Sequence, residues 1–379
     1  MNRLRLTVLP IALGAGLLLP FPAAGPSGNA PRIAPAGIDS LDDGPHVFWQ
    51  DGKQPIVFYL CGGAFNAERF VPQDTLAFRG RCSDSTTMYR VAARAPTPER
   101  DTWNGVPRIL AVSDIHGEYD AMVVFLQHAG VVDTAGHWTW GNGHLVVVGD
   151  VVDRGGRVTE CLWFLYRLER EAAQAGGHVH VLLGNHEVMV MRDDLRYVNP
   201  RYTDGIVQYT GIRYPDLFGP DMELGRWLRS KPVVLKLNDI VFVHGGLAPE
   251  LVTRGLSLSK LNAIARASLG LSSAALTFSD EPRLLFGSTG PLWYRGYISE
   301  LTNRYPATTD EQLDTVRKFY GASTIVVGHT EIGQVTRLHD GHVFAIDVSV
   351  EQLGTLQGLL WEKGVFSMVT GSGEVLPWQ

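Results

Sequence analysis

The chain has few cysteines, no surplus of positive charge and no apolar run long enough for a comfortable membrane span. Three cysteines in 379 residues are too few for a scaffold built on disulfides. A formal charge of −6 leaves no basic footprint, which argues against nucleic acid as a partner. No repeat of solenoid period is present, and the composition is not that of a disordered chain. What the chain does have is core material. Hydrophobic side chains make up 45% of it, enough for one large α/β domain or two smaller ones.

The first residues have the pattern of a targeting segment. Arg3 and Arg5 precede the apolar stretch LTVLPIALGAGLLLP, and FPAAG then offers small residues for cleavage after Ala24. Pro10 interrupts the run, and its length falls short of a spanning helix. Residues 1–24 are therefore expected to be a signal peptide, and the mature protein to be exported, periplasmic or secreted, with no stable membrane span after cleavage. Cys61 and Cys82 flank a turn-rich loop. In an oxidising compartment they could pair and stabilise the fold by about 3 kcal/mol. Cys161 sits in an apolar helical pattern and reads as an inert core thiol.

Residues 25–45 are rich in Pro, Gly, Ser and Asp, and short β-type runs such as HVFW and IVFYLC follow up to Arg94. A flexible lead-in and a small β-rich N-terminal extension are thus expected over 25–104, with the main domain over 105–379. Within that domain Ile109–Val112 reads as a buried strand and Glu118–Ala129 as a helix. HWTWGNGHLVVVGD reads as a β-hairpin turning at Gly-Asn-Gly, and residues 157–175 as a second helix. Residues 188–230 read as an irregular lid or substrate loop. Strand–helix alternation followed by a strand-rich tail predicts a layered α/β sandwich with helices outside.

Buried strands in this pattern stop at residues able to bind metal. LAVSDIHG supplies Asp114 and His116, and LVVVGD supplies Asp150. VLLGN supplies Asn185, VFVHGG supplies His244 and IVVGHT supplies His329. Ligands at the C-terminal ends of strands converge on one crevice, and side chains two apart on an extended segment point the same way. Asp114 and His116 would then hold one ion and Asn185, His244 and His329 a second, with Asp150 between them. Mixed nitrogen and oxygen donors suit Mn, Fe or Zn more than Ca or Mg. A lone Asp-x-His is usually structural; this many strand ends carrying different ligand types are hard to ascribe to chance. The remaining histidines, among them His128, His178 and His180, lack this context and read as structural.

Groups suited to phosphate surround the ligands. Asp153 and Arg154 follow Asp150 in GDVVDRGG, and an arginine fork matches two phosphate oxygens. His186 follows Asn185 and, paired with a carboxylate such as Asp153, would serve as general acid. Arg295 in GPLWYRGY is a further phosphate clamp candidate.

SDIHG, GDVVDRG, GNHE, HGG and GHT, in that order, resemble the phosphoprotein phosphatase branch of the calcineurin-like metallophosphoesterases. GHT, GPLWYRGY and MRDDLRYVNP are most similar to the bacterial-type, Shewanella-like protein phosphatases. Ser113 stands where the family usually has Gly, and Glu331 excludes the Gly-His-x-His of phosphodiesterase-type relatives. The resemblance implies a four-layer α-β-β-α sandwich and a dinuclear centre of two divalent or mixed-valence transition metal ions. Asp114, His116 and Asp150 would bind one ion; Asp150, Asn185, His244 and His329 would bind the other. Arg154 and Arg295 would hold phosphate, and His186, oriented by Asp153, would protonate the leaving group. The implied activity is hydrolysis of phosphate monoesters by a metal-activated hydroxide, in a protein phosphatase with a leaning towards phosphotyrosine. The alternatives are a phosphatase of small metabolites or dinucleoside polyphosphates, and a non-catalytic metal-binding protein.

Overall fold

Two apolar sheet faces pressed together form the centre of the molecule. The structure, a computed structural model, describes residues 41–271, 273–276, 279–298, 305 and 307–378. The expected signal peptide and residues 25–40 of the lead-in lie outside the described residues.

One six-stranded sheet contains β7 (Arg108–Val112), β8 (His144–Val147) and β9 (His178–Val181), all parallel. It continues through β15 (Gly358–Glu362), β16 (Val365–Val369) and β17 (Val375–Pro377), giving the order β17-β16-β15-β7-β8-β9. The second contains β6 (Thr102–Trp103), β10 (Val234–Leu237), β11 (Ile240–Val243), β12 (Thr324–Val327), β13 (Thr336–Leu338) and β14 (Val343–Ala345). Its order is β13-β14-β12-β11-β10-β6.

Ile109, Ala111, Val146 and Leu359 of the first sheet share one buried cluster with Leu235, Phe242, Val326 and Phe344 of the second. Helices cover the outer faces. Among them are α1 (Tyr119–His128) and the longest, α2 (Val158–Gln174), whose apolar stripe includes Cys161, Leu162, Leu165 and Leu168. Burying such stripes is what makes an amphipathic helix stable in context. Thr309 and Gln312 form a capping box at the start of the helix Asp310–Tyr320. The expected α/β sandwich is the observed architecture.

The N-terminal β-type runs form a three-stranded sheet of β1 (Asp43–Gln50), β2 (Gln54–Cys61) and β3 (Ala64–Arg69), and a ribbon of β4 (Thr75–Arg79) with β5 (Met88–Ala92). Both rest on the helical layer. The Trp49 indole donates to Glu223 Oε2 at 2.6 Å, and the Trp163 indole donates to the Pro45 carbonyl at 2.7 Å. Cys61 and Cys82 are disulfide-bonded with Cα atoms 5.2 Å apart. Cys161 is fully buried, and burial pushes its thiol well above the usual range.

The chain departs from the sequence reading in two segments. The hairpin expected over 137–150 does not form. Gly141–Gly143 do turn, but they deliver the chain into β8, whose neighbours on both sides are the parallel strands β7 and β9. Residues 188–230 are not an irregular loop. They hold a π-helical turn (Arg201–Ile206), a 3-10 helix (Tyr214–Phe218) and the helix Glu223–Arg229, with Tyr202, Ile206, Tyr214 and Trp227 buried. Stacking of Tyr202 on Tyr214, 4.9 Å between centroids, stabilises turns that helix periodicity alone would not reveal.

Candidate metal centre

The strands end just short of the site. β7 stops at Val112, and Asp114 and His116 follow with φ of 53° and 48°. Asp150, Asp153, Arg154 and His329 also have positive φ, between 54° and 72°. Left-handed conformations of non-glycine residues cost energy and cluster at functional sites. Asp114 and His116 therefore converge through a left-handed turn, and not through the alternation of an extended strand. Asn185 likewise opens helix α3 (Asn185–Met191) instead of ending a strand.

The histidines are aimed from behind. His116 Nδ1 donates to the Val152 carbonyl at 2.9 Å, and His244 Nδ1 donates to the Val148 carbonyl at 2.8 Å. Each bond fixes the ring and turns Nε2 toward the carboxylates, the arrangement usual for metal-binding imidazoles. His244 Nε2 lies 3.1 Å from Asp150 Oδ2 and 2.9 Å from Asn185 Oδ1. His116 Nε2 is 3.9 Å from both Asp114 Oδ1 and Asp150 Oδ2. His329 Nε2 is buried with no hydrogen-bond partner. Its backbone N–H donates to Asp114 Oδ2 at 3.1 Å.

Close backbone approach makes this possible. A Cβ on Gly184 would sit 2.0 Å from Asp150 Oδ1, and one on Gly328 would sit 2.6 Å from Asp114 Oδ2. Ser113 hydrogen-bonds the Asp114 carboxylate.

The electrostatics are those of a site that needs cations. Burial, with the Asp347 and Asp150 carboxylates, raises Asp114 well above the usual carboxylate range. Burial also raises Asp347, with Asp150 adding to it, to about 6. Burial lowers His116 to about 3 and His329 well below its ordinary value. Burial would lower His244 too, but Asp150 and Asp114 outweigh it and raise the ring to about 10. Divalent ions would relieve both the crowded acids and the orphaned His329 nitrogen. Ligand atoms of His116, Asp150 and His186 lie within 4.8 Å of one another, as do those of Asp150, His244 and His329. Asp150 is common to both groups.

His186 Nδ1 lies 2.7 Å from Asp153 Oδ2, and His186 Nε2 lies 3.8 Å from Asp150 Oδ2. Arg154 is exposed beside this pair, and its backbone N–H donates to the Tyr197 carbonyl at 2.9 Å. Arg295 donates to Thr330 Oγ1 at 3.1 Å, next to His329. The structure thus brings all ten residues singled out from the sequence into one neighbourhood, with Arg154 close enough to His116 and Arg295 to His329 to act on them electrostatically.

Three others were missed. Glu187 accepts from the backbone N–H groups of Gly184, Asp150, Val151 and Val152. Asp347 sits among the acids, 8% exposed. Tyr197 lays its half-exposed ring 5.1 Å from that of His186. Glu187 was visible within GNHE and Tyr197 within MRDDLRYVNP; no pattern marked Asp347.

The calcineurin-like phosphoesterase profile matches residues 107–332. The chain belongs to that family. It is 29% identical over 251 residues to Shewanella-like protein phosphatase 1 of Plasmodium berghei, covering 65% of this chain and 68% of that protein. With Shewanella-like protein phosphatase 2 of Arabidopsis thaliana it shares 29% over 266 residues, 59% of this chain and 66% of the other. Among solved structures, the cold-active protein-tyrosine phosphatase of a psychrophilic Shewanella species is similar at 35% identity and a TM-score of 0.83. That match covers 90% of this chain and all of the other. Family, fold and the buried His/Asp groups together make this chain a metallophosphoesterase, an enzyme that uses divalent metals. No helix among the described residues is long and apolar enough to cross a membrane.

Proposed function

We propose that the enzyme removes phosphate from phosphotyrosine in proteins. The observation that carries this reading is Tyr197, 47% exposed, with its ring set against that of His186. It offers an aromatic wall to the phenol that leaves, which an alkyl side chain cannot exploit equally. The Shewanella structure, a protein-tyrosine phosphatase, supports it.

Asp114, His116 and Asp150 would hold one metal ion, and Asp150, Asn185, His244 and His329 the other. The donor set suits Mn, Fe or Zn. Bound ions would supply Lewis acidity toward the phosphoryl oxygens and lower the pKa of water. The chain's own groups do the rest. Arg154 and Arg295 bind and orient the phosphate and offset charge on its equatorial oxygens. His186, held by Asp153, delivers a proton to the ester oxygen as it departs. No side chain is required as nucleophile.

Export, to the periplasm or out of the cell, is part of the proposal. The basic-then-apolar leader supports it, as does the Cys61–Cys82 disulfide, a bond that persists in oxidising compartments.

The test is phosphate release by the Mn-loaded protein from matched phosphotyrosine and phosphothreonine peptides, with a dinucleoside tetraphosphate alongside. A kcat/KM at least tenfold higher for the phosphotyrosine peptide is expected. Preference for the nucleotide would sink the proposal and move the enzyme to small-molecule phosphate metabolism.

A further inference from the structure

A cleft of about 780 Å3 lies away from the metal centre. It opens at the start of β9, beside His178 and Val179, whereas the metal residues lie beyond the other ends of the parallel strands. Its walls come from three places: the β4–β5 ribbon, the segment 96–100, and the helices that carry Tyr166 and Trp227. Its volume is in the range of small-molecule sites.

The lining is lopsided in charge. Arg90, Arg94, Arg100, Arg170 and Lys231 face it, against the carboxyl groups of Glu99 and Glu169. Those two acids are already engaged. Glu99 is hydrogen-bonded to His180, and Glu169 to Lys231 and the Trp227 indole. The side chains of Arg90, Arg94, Arg100 and Arg170, by contrast, make no hydrogen bond or ion pair among the described residues, and only that of Arg100 meets a ring. Arg157, Arg196, Arg213, Arg254, Arg283 and Arg317 elsewhere on the molecule are all bonded to carboxylates.

The aromatic component is equally specific. Trp103, Tyr166 and Trp227 line the same cleft, and the Arg100 guanidinium lies 3.3 Å from the centroid of a Trp103 ring. A guanidinium set over an indole keeps its N–H edges available for an anion, and its own planar face suits a flat ring.

We propose that this cleft is a binding site for a small polyanion carrying a flat ring. The ligand's acidic groups, carboxylate or phosphate, would engage Arg90, Arg94 and Arg170, while its ring lies against the Trp103–Arg100 stack. The site is separate from the phosphatase chemistry and does not depend on which phosphoester the enzyme cleaves. Because the ribbon forms one wall, the N-terminal extension becomes part of a ligand site.

The experiment is isothermal titration calorimetry of the full-length, metal-loaded protein with benzene-1,3,5-tricarboxylate, which has no phosphoester to cleave. Propane-1,2,3-tricarboxylate provides the charge without the ring, and benzoate the ring with a single charge. The benzene tricarboxylate is expected to bind at least tenfold more tightly than either. Affinity should fall at least tenfold in the Arg90→Gln/Arg170→Gln variant, with phosphatase turnover on a phosphopeptide unchanged as the sign of an intact fold. Arg94→Gln with Arg100→Gln should independently do the same. Equal binding of the three probes, or undiminished affinity in both paired variants, overturns the proposal.

Discussion

His186 Nδ1 and Asp153 Oδ2 are 2.7 Å apart, both side chains buried, with the other ring nitrogen of His186 facing the carboxylate shared by the metal groups. Burial alone would lower the pKa of this ring, but the Asp150 and Asp153 carboxylates outweigh it and hold His186 above its ordinary value. These carboxylates favour the protonated ring, the form a general acid needs. His186→Asn should lower kcat by roughly 10²–10⁴-fold on a phosphotyrosine peptide, and far less on an aryl phosphate whose leaving group needs no proton. Metal content should stay near normal. Asp153→Asn removes a charge that favours the protonated ring, so the basic limb of the kcat profile should move to lower pH. A His186 variant stripped of metal would instead make His186 a ligand, as its proximity to His116 and Asp150 allows.

Asp150 belongs to both ligand groups, and losing it should be felt by both. Its carboxylate is held well below the usual range: burial opposes this, but His244 and His186 prevail. Asp150→Ala should bind less than half the metal of the native protein, read by elemental analysis after desalting, and lose turnover to background. Full activity in this variant would show that the site has been assigned to the wrong residues.

Much of this centre was legible in the chain because metal ligands are few in kind and cluster at sharp sequence boundaries. SDIHG, GDVVDRG and GNHE each pair a buried strand with glycine and a ligand. The geometry behind them was not legible. Asp114 and His116 read as extended neighbours, yet left-handed turns bring them together, and nothing in residue type announces φ of 53° at an aspartate. The segment 188–230 read as loop because its helical turns are short and depend on Tyr202 and Tyr214 packing, a tertiary effect. Asp347 lies in AIDVSV, where an isolated aspartate after a strand is ordinary.

Glu187 shows how one buried carboxylate can shape a metal centre without entering it. It is 1% exposed and accepts from four backbone N–H groups at 2.7–3.1 Å, three of them in the Asp150–Val152 turn. Removing it leaves those donors buried and unpaired, each costing about 1–3 kcal/mol before relaxation. Glu187→Ala should destabilise the protein by roughly 3–5 kcal/mol, measured by urea unfolding, and weaken metal binding because Asp150 loses its fixed backbone. Unchanged stability would mean that water replaces the carboxylate.

Tyr197 joins the proposed choice of substrate to the backbone of Arg154, the arginine proposed to bind phosphate. Its carbonyl accepts from the Arg154 N–H at 2.9 Å, while the Asn199 side chain donates to the Arg154 carbonyl at 2.9 Å. The Tyr197 ring stands over His186, so its backbone and its side chain serve different ends. Tyr197→Ala keeps the backbone bond and removes only the ring. An aromatic pair contributes about 0.5–1.5 kcal/mol beyond area burial, so kcat/KM on a phosphotyrosine peptide should fall about two- to twelvefold. Most of that loss should be in KM. Turnover of the matched phosphothreonine peptide should scarcely change, so the ratio between the two peptides narrows. Phe at 197 should restore it, because the ring and not the hydroxyl makes the wall. A uniform loss on both peptides would mean that the ring serves to position His186 and offers no wall to the phenol.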